Sequence, residues 1–130
     1  MKYSKGINYQ LEEDETVETG LIGRVVLDKW YTLGATGKLT IRKGYGWDGT
    51  SGAFDTDTLM RASLFHDALC QMIGNKELPI GAIDAANNLY YELCRADGMN
   101  WIRAKWQLRG IRLHFRNGVM PKGDREILIT

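Results

Sequence analysis

Apolar residues change their spacing once along this chain, from alternation to a helical period, and the change falls at a glycine-rich turn. Before the turn, Val25-Val26-Leu27 and Trp30-Tyr31-Thr32-Leu33 are β-branched or aromatic runs, and Gly34-Ala35-Thr36-Gly37 reverses the chain. Lys38-Leu39-Thr40-Ile41-Arg42 then alternates polar with apolar, the signature of a strand with one wet face. Glu12-Glu13-Asp14-Glu15 reads as a solvated turn between strands. From Gly44 to Gly52 there are four glycines in nine residues, which calls for unusual backbone angles or a close approach to another group.

Beyond the turn, three helices are expected. The first opens near Asp55 to Asp57, where Asp and Thr cap free amides, and stops at Gly74, with Leu59, Ala62, Leu69 and Ile73 on its apolar stripe. The second opens at Pro79 and ends at Gly98, burying Ile83, Ala86, Leu89, Tyr90 and Leu93. The third follows Asn100 as its cap and runs to about Arg116, with Trp101, Ala104, Leu108, Ile111 and Phe115 facing the core. The predicted fold is α+β: an N-terminal small antiparallel β-sheet followed by three α-helices, the first two an antiparallel hairpin.

A chain of 130 residues can bury a core without disulfide or metal staples. It reads as one domain, with a β region at 1–43, the glycine-rich turn at 44–55, helices at 56–117 and a tail at 118–130 that includes the strand-like Ile127-Leu128-Ile129. The formal net charge of +1 argues against disorder and against a generic nucleic-acid binder. Cys70 and Cys94 fall on different predicted helices, out of register for pairing, and read as free buried thiols of a reducing compartment. Met1 to Lys5 is not followed by the apolar run of a signal peptide, and no stretch approaches the roughly 18 apolar residues of a membrane span, so a cytoplasmic location is expected.

Chemistry concentrates on Leu64-Phe65-His66-Asp67-Ala68-Leu69-Cys70. An imidazole serves as general base near neutral pH when a second group fixes its tautomer. Asp67 follows His66 directly, so its side chain points about 100° away and cannot be that group. In an antiparallel hairpin turning near Asn75 to Leu78, His66 lies level with about residue 87, which makes Asp84, one helical turn off and beside Asn87 and Asn88, its expected orienter. Asp48 in the glycine turn could join Asp67 on a hard cation, since calcium takes carboxylates together with backbone carbonyls. Such an ion would polarise a carbonyl or phosphoryl oxygen for attack by water that His66 activates. The structural reading of the same residues is a satisfied polar network that sets the packing of two helices.

Other chemistries fit less well. No histidine precedes His66, as a metal phosphohydrolase would need, and Gly49-Thr50-Ser51-Gly52 is not a nucleophile elbow. Cys70 shares a helical face with His66 and reads first as a packed thiol, with a Cys-His nucleophile as the alternative. On the third helix Lys105, Arg109, Arg112 and Arg116 share a face, and no acid falls between Trp101 and Asn117. That stripe offers contact to an acidic partner, to nucleic-acid phosphates or to an anionic membrane surface, or is simply solvated.

The succession Tyr45-Gly46-Trp47-Asp48-Gly49, Arg61-Ala62-Ser63-Leu64-Phe65-His66-Asp67-Ala68-Leu69-Cys70 and Asp84-Ala85-Ala86 resembles the core of phospholipase A2-like proteins. There a glycine-rich calcium loop leads into a His-Asp helix, and an antiparallel helix supplies a second aspartate. The resemblance implies His66 as base, Asp84 as its orienter, and Asp48 and Asp67 as calcium ligands. The chain also resembles, over nearly its whole length, a family of small uncharacterised phage and prophage proteins with an Asp…Ser turn (here Asp48 and Ser51), a His-Asp helix and a following Asp helix. That likeness implies the cytoplasm of a bacterial host, or a virion, as the setting. Two functions are expected on these grounds: a calcium-assisted His-Asp hydrolase of an ester or related bond, or a non-catalytic phage accessory or virion protein that uses the helix pair as scaffold to bind a virion or host protein.

Overall fold

The computed structural model describes residues 1–5, 9–47 and 57–116. Its architecture is α+β, with antiparallel sheets from the first third of the chain followed by three helices. The strands are β1 (Tyr3–Lys5), β2 (Tyr9–Leu11), β3 (Glu15–Glu18), β4 (Val26–Leu27), β5 (Tyr31–Leu33), β6 (Lys38–Ile41) and β7 (Gly46–Trp47). They form two sheets, one ordered β1-β2-β7 and the other β3-β6-β5-β4. The expected alternation appears in β6, where Leu39 and Ile41 are buried and Lys38 is exposed. The second sheet arises because part of the glycine-rich stretch is itself a strand: β7 pairs with β2 through Tyr9 opposite Trp47.

Gly44 makes that return possible. Its φ of +98° suits glycine, and a Cβ there would lie 2.9 Å from the Trp30 ring. At Gly44 the close approach is therefore to an indole of the same chain, and Gly49 and Gly52 lie outside the described residues.

The helices are α1 (Asp57–Gly74), α2 (Ala82–Ala96) and α3 (Trp101–Arg116). α2 ends as its sequence suggests. Gly98 takes φ +99°, its amide donates to the Arg95 carbonyl, and the amide of the buried Met99 donates to Cys94. α3 opens with the Asn100 side chain accepting from the Ile102 amide at 2.8 Å. α1 ends at Gly74, the expected residue, but the glycine does not itself take the left-handed cap. Gly74 is still helical, and the left-handed residue that closes the helix is Lys76 at φ +62°, with the Glu77 amide returning to the Met72 carbonyl. The start of α2 is also later than expected: Pro79 accepts from the Ala82 amide in the turn that leads into the helix.

α1 is the centre of the molecule. From Leu59 to Ile73 only Arg61, His66 and Asp67 escape full burial. One side is tied to the β region by side-chain hydrogen bonds, and the other faces α2, which in turn carries α3. Trp47 Nε1 donates to Ser63 Oγ at 3.1 Å, and Tyr45 Oη donates to Gln71 Oε1 at 2.6 Å. Arg61 reaches β3, with its guanidinium 3.6 Å from Glu15 and donating to the Thr16 carbonyl. Past the helix end, Tyr31 donates to Glu77 at 2.6 Å and accepts from Asn75. Burial and then the Glu77 hydrogen bond push ionisation of the Tyr31 hydroxyl well above the usual tyrosine range.

Two substitutions of opposite sign test this account. Lys76→Gly relieves the left-handed strain and should raise stability in urea by about 0.5–1 kcal/mol. Gly44→Ala should lower it by about 2 kcal/mol or more, from the positive φ and the clash with Trp30 together.

Candidate functional site

His66 projects from α1 toward α2 and is half-buried. The expected register places it level with residue 87, and Asn87 itself meets it: His66 Nε2 and Asn87 Oδ1 are 2.8 Å apart. Asn87 is 3% exposed, whereas Asp84 lies exposed in the first turn of α2. The hydrogen-bonded orienter is thus Asn87 rather than Asp84. The reason is solvation, since a neutral amide enters a helix interface at far less cost than a carboxylate. Asp84 instead sits where the helix dipole favours an acid.

With Asn87 Oδ1 accepting, Nε2 is the donor of the pair. Tyr90 from α2 presents its ring edge-on to the imidazole, with centroids 5.6 Å apart and planes at 76°. Cys70, one turn along α1, has Sγ 3.8 Å from both ring nitrogens. Equal distances put the sulfur off both in-plane lone-pair axes, so the thiol packs on the ring and is not aligned for proton transfer. Both cysteines are free and buried, as expected. Burial, with the nearby Asp97 charge adding to it, pushes the Cys94 thiol up to about 12, so it stays protonated and inert at neutral pH.

Asp67 is half-buried on α1. Its expected companion Asp48 lies outside the described residues, as does Ser51. Among the described residues, no three His, Cys, Asp or Glu side chains gather as a metal-ligand set.

On α3, Ala104 and Leu108 are buried as expected, but Trp101 is 55% exposed. α3 packs chiefly on α2. Lys105 and Arg109 are exposed, Lys105 lying over the Tyr91 ring at 5.9 Å and Arg109 over Trp106 at 5.6 Å. Arg112 and Arg116 belong to α3, with side chains outside the described residues, as are those of Ile111 and Phe115. Ile102 and Trp106, at 51% and 65% exposure, join Trp101 and the two cations in one outward surface. Among the described residues no helix is long and apolar enough to cross a membrane. No protein-family model, curated protein or solved structure matches the chain.

Replacing Asn87 by Ala should free Nε2, cost about 1–2 kcal/mol of stability, and move the His66 ring ¹⁵N shifts toward a mixture of tautomers. Asp84→Asn should leave those shifts in place. The opposite pattern would return the orienting role to Asp84.

Proposed function

We propose that this chain is a phage-associated hydrolase of the bacterial cytoplasm or the virion, acting on an ester or a related acyl or phosphoryl bond with His66 as general base. The observation that supports this most is the 2.8 Å contact between His66 Nε2 and Asn87 Oδ1 on a half-buried imidazole. It anchors the ring through Nε2, and a base at this ring would take a water proton, so that the oxygen left behind attacks the electrophilic carbon or phosphorus. Asn87 orients without supplying charge, so the imidazolium that forms needs compensation from nearby carboxylates.

Asp67 and Asp48 supply the hard oxygen donors that calcium takes, with glycine-turn carbonyls as further ligands. Calcium bound there would contribute Lewis-acid polarisation of the substrate oxygen.

A second reading is favoured by the outward face of α3. Trp101, Ile102 and Trp106 are large apolar groups in water, flanked by Lys105 and Arg109. Indoles and guanidinium groups are the residues on which binding energy concentrates. A non-catalytic accessory or virion protein would use this face on an acidic partner surface, with nucleic acid and anionic membrane as the other ligands of the same charge. Its affinity would fall with salt and with Trp106→Ala, and would be indifferent to His66→Ala.

Calorimetric titration with calcium separates the two. The hydrolase reading expects one ion bound by the wild type and none by Asp67→Asn, with ester or phospholipid hydrolysis that His66→Ala lowers by roughly 10²–10⁴-fold. Absence of binding at millimolar calcium, together with absence of hydrolysis, would sink it.

A further inference from the structure

Between the end of α1 and the edge of the four-stranded sheet lies a cleft of about 360 Å³, lined by Arg24, Ile73, Lys76, Leu78, Pro79 and Ile80. That volume falls in the range of small-ligand sites. Ile73 and Leu78 are buried, while Ile80 is 58% exposed, so an apolar wall runs from the core out into water. Arg24 precedes β4, the edge strand, and comes to the cleft from the sheet side, whereas Lys76 comes from the helix end. Both cations are exposed, and neither forms an ion pair among the described residues. The acid next to Lys76, Glu77, is engaged by the Tyr31 hydroxyl at 2.6 Å.

Lys76 carries a second signal. It holds the left-handed position that closes α1, at φ +62°, where glycine would be free of strain. The helix dipole favours a cation anywhere in this turn and so does not select the left-handed residue. A strained lysine, an unpaired arginine and an apolar wall therefore converge on one concavity.

We propose that this cleft binds a small amphiphilic anion, a carboxylate on an aliphatic body. Arg24 and Lys76 would hold the carboxylate, and Ile73, Leu78, Pro79 and Ile80 would cover the chain. The volume suits a small ligand, for which a medium-chain carboxylate is a fitting probe. The site is distinct from His66, which lies seven residues, or about 10 Å, back along α1 from Ile73. It stands independently of the hydrolase reading.

The test is titration of the full chain with sodium octanoate at low salt, followed by amide chemical shifts and calorimetry, with octan-1-ol as the uncharged control. Saturable binding is expected, with shifts centred on residues 76–80, and octanol should bind more weakly. Arg24→Ala and Lys76→Gly should each weaken octanoate about two- to fivefold, as for solvent-exposed charge contacts. Lys76→Gly is decisive because it should fold more stably while binding less well, a pair of changes that general destabilisation cannot produce. Lack of saturable binding, equal affinity for octanol, or undiminished affinity in Lys76→Gly would each overturn the proposal.

Discussion

The burial of α1 on nearly every side governs the rest of this molecule. A helix covered by a β layer on one flank and a second helix on the other leaves most of its polar side chains no water to turn to. Each must find a partner inside, since an unmatched buried donor or acceptor costs about 1–3 kcal/mol. The β region answers with aromatic side chains that carry polar tips. Trp47 meets Ser63, Tyr45 meets Gln71, and Tyr31 reaches Glu77 just past the helix end. The same groups contribute large apolar area and a directed hydrogen bond, so they fix the sheets both laterally and along the helix axis. The layering of sheet, α1, α2 and α3 follows from these matches.

The flank of α1 that faces α2 obeys the same constraint with a different result. There the group to be matched is an imidazole, and the partner is the Asn87 amide. With its Oδ1 toward the ring, the amide accepts from Nε2 but brings no charge to stabilise the protonated ring. Any base chemistry at His66 would have to draw that charge from groups at the rim of the helix pair. The half-burial of both His66 and Asp67, in a helix otherwise closed to water, puts them at that rim.

The molecule's exposed apolar groups lie away from this centre. α3 joins the core through Ala104 and Leu108 and turns Trp101, Ile102 and Trp106 outward. Ile80 does the same beside the cleft at the end of α1, where Lys76 keeps a strained backbone. Surfaces of this kind are where a chain with a saturated interior can engage other molecules.

Much of the fold was legible in the chain itself. The single change of apolar period set the order of sheets and helices, Asn100 and Gly98 marked two helix ends by capping chemistry that acts over a few residues, and the register of the α1–α2 hairpin followed from its short turn. These are local effects, and local sequence carries them. What tertiary structure alone decided is which neighbour covers each face. Asn87 rather than Asp84 meets His66 because the interface excludes a bare carboxylate. Trp101 is exposed while Ala104, in the same turn of α3, is buried. α1 ends at Gly74 but Lys76 takes the left-handed position beyond it, and part of the glycine stretch became a strand because β2 lay open to pair with it. Periodicity defines a stripe on a helix or strand, but burial, desolvation and pairing are properties of two surfaces in contact, and those surfaces exist only once the chain has folded.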